Sequence, residues 1–436
     1  MKIAIVGFDI EGQATYEYLT KLGGHQITIC DQNPDIVVPA GAEQKLGADY
    51  LVGLDAYDVI VRTPGLHPRK ILEKNPGVEV QLTSHLNLFF GACPTANIIG
   101  VTGTKGKGTT SSLIAKMLEA DGKKVFLGGN IGVPPLTFAD QLDESSWVVL
   151  ELSSFQLIDA RYSPHIAACL MVVPEHLNWH ADYEEYTAAK AQLFAHQASD
   201  DLAVYFADSD TSKQVVSTSA GQKIPYFAAP GAYVEDGSIV IDGQSICQVD
   251  ELQLLGKHNW QNACAAVTVL WQITQNVSAL RSVLASFSGL EHRLEFVREL
   301  NGTKYYNDSF GTTPETAIVA IQAFLEPKVV VLGGSDKGAD YTELAQAVAT
   351  GNVRSVVLIG ETAPKIRAAL EAAGYDSITD GGTTMSEIMQ AITSVAQSGY
   401  VVLLSTANAS FDMFHDYKDR GEQFKSAVQS LGEAQQ

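Results

Sequence analysis

The densest chemistry in the sequence lies in NIIGVTGTKGKGTTSSLIAKMLEADG, residues 97–122. A short apolar run leads into a loop carrying Gly103, Gly106 and Gly108, and a helical stretch follows with Leu113, Ile114, Met117 and Leu118 on one face. Glycines let successive backbone N–H groups turn inward, the helix N-terminus adds its dipole, and Lys107 adds a point charge, so this segment forms a cradle for a triphosphate. A plain Gly-rich turn has no need of two lysines. Ser or Thr directly after the lysine ordinarily meets Mg²⁺; here Gly108 holds that place and Thr109 is the next hydroxyl. Mg²⁺ takes hard oxygen ligands, and Glu151 ends the apolar run WVVLEL, where a strand-end carboxylate could supply one.

Weaker signals lie elsewhere. IAIVGFDIEGQAT at 3–15 reads as strand, turn and helix, with Asp9 where a dinucleotide site prefers glycine. Asp31 ends a second strand, where such folds bind a ribose. A plain turn explains the same residues. Asn259 and Asn262, three apart, share one helix face and serve equally well as caps. By residue type alone, His176 is a structural histidine that directly follows a strand, and Lys190 is a solvated helix charge.

These residues need a scaffold. Apolar β-branched runs recur at 2–6, 26–30 and 58–61, then at 97–101, 124–128, 147–152, 166–173 and 202–206, then at 328–333, 354–360 and 400–405. Continuous apolar runs alternating with helices predict parallel sheets buried on both faces, an α/β fold in three blocks. Seams at 91–97 and 288–296 divide the chain into 1–92, 93–289 and 290–436. Asp236-Gly237 and Asp242-Gly243 between short runs predict a small β-meander over 232–249.

The chain has 436 residues, 46% of them hydrophobic, which excludes a disordered protein. The formal net charge of −21 argues against broad nucleic-acid or anionic-membrane binding. Five scattered cysteines without a CxxC predict reduced thiols, neither a disulfide frame nor a zinc site. Apolar runs are too short for a signal peptide or a membrane span, so a cytosolic, soluble protein is expected.

The loop TGTKGKGTT resembles that of the Mur ligases, ATP-dependent amide-forming enzymes. The resemblance extends in order through GGNIG at 128–132, ELSSFQL at 151–157, EHLNWH at 175–180, YTAAKAQLF at 186–194 and LLGKHNWQNACAA at 254–266. It continues through EHRLE at 291–295, NDS at 307–309, LGGSDKGADY at 332–341 and STANASFDMF at 405–414. GGNIG with ELSSFQL looks most like the member that adds glutamate to UDP-N-acetylmuramoyl-L-alanine.

The resemblance implies three domains: a Rossmann-like uridine-nucleotide domain, a central P-loop ATPase domain and a C-terminal Rossmann-like domain that binds the amino acid. It implies ATP and Mg²⁺ as cofactors, two small-molecule substrates and a monomer. Gly103, Thr104, Lys105, Gly106, Lys107, Gly108, Thr109 and Thr110 would hold ATP, joined by Asn262 at the adenine, Arg293 at phosphate and Asp308 at the ribose. Thr109, Glu151, His176 and Lys190 as its carbamate would serve the metal, and Lys107, Glu151, His176 and Lys190 the catalysis. Phe8, Asp9, Ile10, Asp31, Thr63, Pro64 and Gly65 would line the uridine diphosphate site, with Asn130 at its diphosphate. Thr312 and Lys337 would meet the glutamate α-carboxylate, Ser410 and Tyr417 its side chain.

Two positions depart from the D-glutamate-adding pattern. Phe310 replaces the lysine after NDS, and Asn408 replaces a cysteine in STANAS. They predict that a positive charge is absent near the amino acid or the phosphates. D-glutamate is the leading expectation, with L-glutamate as the alternative. A folylpolyglutamate synthase-like ligase, whose loop also places Gly after Lys, and a non-catalytic nucleotide-binding regulator are the other readings.

Overall fold

Residues 1–254, 256–336 and 338–432 are described in the computed structural model of the chain. The apolar runs become strands covered on both faces, as expected of α/β architecture. The first sheet contains β1 (Lys2–Val6), β2 (Gln26–Asp31), β3 (Glu43–Leu46), β4 (Val59–Arg62) and β5 (Leu82–Ser84), all parallel, in the order β3-β2-β1-β4-β5. The chain leaves β1 toward β2 on one side and returns to β4 on the other. This reversal opens a crevice at the strand ends, where open α/β sheets bind ligands.

The central sheet is parallel too. It contains β6 (Ile98–Thr102), β7 (Val125–Gly129), β8 (Trp147–Glu151), β9 (Ile166–Cys169), β10 (Leu202–Phe206) and β11 (Gln222–Tyr226) in the order β11-β10-β9-β6-β8-β7. Its reversal lies between β6 and β9. Every residue of β6 is buried, and the helix Lys107–Ala120 follows it directly. The run 166–173 does not stay a strand to its end. β9 stops at Cys169, after which Met171 O accepts from Thr104 N–H at 2.8 Å and Val173 N–H donates to Thr104 Oγ1 at 3.0 Å. Those groups leave the sheet to brace the phosphate loop.

The meander is present as β12 (Tyr233–Glu235), β13 (Ser238–Ile241) and β14 (Gln244–Gln248), antiparallel throughout. Both residues of each Asp-Gly turn have positive φ (47° and 76°, then 50° and 72°), the backbone that a two-residue hairpin with the strands' twist requires. The last sheet contains β15 (Glu295–Leu300), β16 (Thr303–Asn307), β17 (Lys328–Gly333), β18 (Val353–Ile359), β19 (Ile378–Asp380) and β20 (Val401–Leu404). Its order is β15-β16-β20-β17-β18-β19, parallel except for the β15–β16 hairpin.

All five cysteines are free, four buried and Cys93 partly so. Among the described residues no helix is long and apolar enough to cross a membrane. By internal contacts Met1–Gln253 with Lys257–Phe287 form one compact unit, and the residues from Ser288 onward form another.

Within the first unit, polar side chains join the first and central sheets. Arg62 is fully buried at the end of β4. Its Nε donates to Asp159 Oδ2 at 2.6 Å, and its Nη2 donates to Phe155 O at 2.9 Å. His85 accepts from Leu136 N–H at 3.3 Å through Nε2, while its Nδ1 lies 2.9 Å from Thr15 Oγ1. Burial lowers its pKa to about 3, so it bridges as a neutral ring. Gln156 Nε2 donates to Glu11 Oε1 at 2.6 Å. Burial raises the Glu11 carboxyl from 4.5 to about 7, against the opposing pull of Gln156 and Arg62.

A carboxyl raised in the folded state contributes stability that is complete below its unfolded pKa and lost as pH rises through the folded one. For Glu11 that window runs from 4.5 to about 7. Glu11→Gln keeps the acceptor oxygen and removes the charge. The variant is expected to be more stable than the parent at pH 8, by up to about 3 kcal/mol, and equal to it near pH 4.5. Urea unfolding at both pH values measures this, and a pH-independent difference contradicts it.

Candidate active site

The phosphate loop sits at the reversal of the central sheet, between the end of β6 and the residues after β9. Its glycines are required by space as well as by angle. Gly103 has φ 145°, and a Cβ there would stand 2.8 Å from Leu170 Cβ. Gly106 has φ 88°, and a Cβ there would stand 2.2 Å from Asn262 Oδ1. Gly108, Thr109 and Thr110 are buried in the first turn of the following helix.

Two ammonium groups converge on one carbonyl. Lys107 Nζ donates to Gly103 O at 3.0 Å and to Thr104 O at 3.1 Å. Lys190 Nζ donates to the same Gly103 O at 2.8 Å. Lys190 is 1% exposed and lies 4.5 Å above the Tyr186 ring, so it is not the solvated helix charge that its residue type suggests. Desolvation, reinforced by Lys107, lowers its pKa to about 7. The signal was available in the helix Tyr183–Ala195: Lys190 shares the buried face with Tyr186, Leu193 and Phe194.

Lys105 Nζ donates to Glu175 Oε1 at 2.6 Å, and the other Glu175 oxygen lies 3.6 Å from His176 Nε2. His176 does not follow a strand directly. It lies seven residues beyond β9, in a left-handed conformation with φ 59°. Its ring packs 4.8 Å from Phe155. Burial lowers its pKa, Glu175 opposes the shift, and Lys107, Lys190 and Lys105 add to it.

Glu151 ends β8 and is 6% exposed. Its Oε1 accepts from Asn130 Nδ2 at 2.7 Å, so the side chain expected at a diphosphate is engaged with this carboxylate. Gly129 allows the approach, since a Cβ there would stand 2.2 Å from Glu151 O. Asn262 braces the loop: Thr110 Oγ1 donates to its Oδ1 at 3.4 Å, and its Nδ2 donates to Asn259 Oδ1 at 2.8 Å. Glu151 supplies hard oxygen, His176 a ring nitrogen and Lys190 a buried amine, so these residues fit a magnesium–nucleotide centre.

The crevice of the first sheet gathers a second group. Asp31 Oδ2 accepts from Phe8 N–H at 2.7 Å, while Asp9 Oδ1 caps the first helix by accepting from Ile10 N–H at 2.8 Å. Thr63 Oγ1 donates to Val6 O at 3.1 Å and closes over Gly7, where a Cβ would collide with it. Pro64 and Gly65 continue the loop, and Trp179 Nε1 donates to Gly65 O at 3.2 Å. Sequence reasoning missed Trp179, Glu175 and Tyr186, although the first two lie inside the EHLNWH segment and Tyr186 opens YTAAKAQLF.

In the second unit, Asp308 accepts from Ser405 Oγ at 2.6 Å and from Leu294 N–H at 3.1 Å, and burial raises its pKa to about 6. Ser410 Oγ is buried without a hydrogen-bond partner in the protein. Thr312 is partly buried, and Lys337 lies outside the described residues. A buried cation that the sequence reading did not name lies under this segment. Arg420, fully buried, donates to Ser309 Oγ and Ser309 O at 2.8 Å and to Asn408 O at 3.2 Å. Its position ten residues beyond Ser410 concealed this from the sequence. The cluster Glu291, His292 and Glu422 has metal-binding spacing but already holds Lys425, whose Nζ is 2.7 Å from Glu422 Oε1.

Two family models match the chain: the Mur ligase middle domain over residues 101–270 and the Mur ligase glutamate ligase domain over 292–408. A UDP-N-acetylmuramoylalanine–D-glutamate ligase of Acetivibrio thermocellus is 36% identical, covering 99% of this chain and 96% of that protein. The ligase of the same name from Clostridium kluyveri is 35% identical over 99% and 97%. Among solved structures, UDP-N-acetylmuramate–alanine ligase of Thermotoga maritima shares the fold with a TM-score of 0.59 at 17% identity, covering 99% of both chains. MurF of the same organism, solved in complex with ADP, gives 0.57 at 17% identity over 98% and 94%.

Lys107→Ala is expected to lower kcat by roughly 10²- to 10³-fold while thermal unfolding stays unchanged, since Lys107 balances phosphate charge and leaves the core intact. ADP release with saturating substrates measures it, and near-normal turnover removes Lys107 from the phosphate site.

Proposed function

The chain belongs to the Mur ligase family, and from that premise we infer that it adds glutamate, D-glutamate in the leading reading, to UDP-N-acetylmuramoyl-L-alanine with ATP. It is a ligase of peptidoglycan-precursor synthesis. The observation that carries the assignment is the convergence of Lys107 and Lys190 on the Gly103 carbonyl beside buried Glu151. A lysine within the phosphate loop, a second lysine amine buried against the same carbonyl and a carboxylate for the metal suit phosphoryl transfer to a carboxylate. The crevice lined by Phe8, Asp31 and Thr63 favours a uridine-nucleotide substrate over a folate.

In the proposed reaction a carboxylate oxygen of UDP-N-acetylmuramoyl-L-alanine attacks the γ-phosphorus, the bond to the β–γ bridging oxygen breaks, and ADP leaves. The glutamate amine then attacks the acyl carbon, loses a proton, and the carbon–oxygen bond to phosphate breaks. Negative charge gathers on the transferring group in the first step and on the tetrahedral oxygen in the second. Lys107 and the loop N–H groups offset it. Glu151, oriented by Asn130, would hold Mg²⁺ with His176, Thr109 and Lys190 as its carbamate. Bound there, Mg²⁺ would neutralise phosphate charge and polarise the γ-phosphate. Lys105, in the same loop and paired with Glu175 in the free protein, would add its charge to the phosphates.

Arg293 and Asp308 are assigned to the phosphate and ribose of the nucleotide. Thr312, Lys337, Ser410 and Tyr417 are assigned to glutamate. The unpartnered Ser410 hydroxyl supports that assignment, because a buried polar atom without a partner is costly until a ligand satisfies it. The proposed setting is the cytoplasm, with the enzyme acting as a monomer on small-molecule substrates.

If Lys190 acts as a carbamate, Lys190→Ala is expected to be nearly inactive and partly restored by short carboxylic acids. Restoration by amines instead would mark Lys190 as a simple cation. The amino-acid assignment is tested by product formation with each pure glutamate enantiomer at equal concentration. A clear excess with D-glutamate is expected, and a strong preference for L-glutamate reverses the assignment.

A further inference from the structure

Phe310 is the clearest departure from the lysine-bearing pattern, and its surroundings explain what it does. Asn307, Asp308 and Ser309 are buried, whereas Phe310 is 42% exposed. Its N–H donates to His292 O at 2.9 Å, which sets its ring beside the next residue in the EHRLE segment. The Arg293 guanidinium carbon lies 4.4 Å from the Phe310 ring centroid. Tyr417 meets the same ring edge-on at 5.3 Å and 89°, and His292 meets Tyr417 at 6.0 Å and 85°.

A guanidinium over a ring face is attracted by the ring quadrupole. All five of its N–H donors lie in the guanidinium plane, so a guanidinium lying parallel to the ring keeps its edge open to an anion. A lysine at this position would instead place a second cation against Arg293, and like charges repel. An exposed Phe in a charged turn is otherwise unfavourable, since it leaves apolar area in water.

We propose that Phe310 is a positioning residue that holds Arg293 with its N–H edge free for an anion and ties it, through the Tyr417 ring, to the residues assigned to glutamate. The inference rests on the assignment of Arg293 to the nucleotide and Tyr417 to glutamate. Phe310 thus takes over the place of a lysine by aiming an arginine.

The test is steady-state kinetics of the full-length enzyme with ATP, UDP-N-acetylmuramoyl-L-alanine and D-glutamate (or whichever enantiomer the parent uses), with thermal unfolding as a fold check. Loss of one exposed cation–π contact corresponds to roughly a 2- to 5-fold rise in KM for ATP, which is expected for Phe310→Leu. The KM for the uridine substrate should not move. Phe310→Tyr and Phe310→Trp keep a ring and should restore the parent KM for ATP, while Phe310→Lys should be worse than leucine. A role in packing alone would leave leucine close to the parent and separate it little from tyrosine, and that result overturns the inference. In an Arg293→Ala background, Phe310→Leu should cost nothing further in KM for ATP. An undiminished cost in that background overturns the stack while leaving Arg293 at the phosphate. If Arg293→Ala alone leaves KM for ATP unchanged, the phosphate assignment itself fails and the inference falls with it.

Discussion

The Gly103 carbonyl is the point on which the active site depends. It accepts from two lysines at 3.0 and 2.8 Å, in a chain with a net charge of −21. Crowding ammonium groups into one loop is unfavourable without anions. Each is therefore held by an oxygen in the free protein: Lys107 and Lys190 by loop carbonyls, Lys105 by Glu175. Burial lowers the pKa of Lys190 and of His176, and the crowded lysines add to both shifts. A phosphate chain entering the loop would replace the provisional partners of Lys107 with stronger ones, because hydrogen bonds to phosphate exceed those to neutral carbonyls.

That arrangement works only if the loop and its neighbours stay in register. Thr104 is fixed from two sides, by Val173 N–H at 3.0 Å and Tyr186 OH at 2.8 Å. The His176 loop is in turn linked to the first sheet through Trp179 and Gly65. Arg62, Glu11 and His85 extend that connection as buried polar bridges. Such bridges add little net stability compared with apolar packing, but they tolerate few alternative arrangements because each unpaired member would be costly. The crevice of the first sheet and the phosphate loop are thereby held within one compact unit. In the second unit Arg420 performs a comparable task, joining the NDS turn to the STANAS segment from beneath.

The sequence by itself determined the parallel α/β class, the phosphate loop, the meander and the strand-end position of Glu151. All of these are local: glycine spacing, β-branched runs and Asp-Gly turns act over a few residues. It did not reveal that Lys190 is buried, that Asn130 turns to Glu151, that Arg420 braces Ser309 and Asn408 from within, or that Arg293 lies over the Phe310 ring. Each of those depends on contacts between residues far apart in the chain, such as Lys190 with Gly103, 87 positions away, and Arg420 with Ser309, 111 positions away. A lysine in a helix reads as solvated until a neighbouring strand and loop remove its water. Only the tertiary structure decides that, because desolvation is a property of the packed surroundings and leaves no mark on the residue itself.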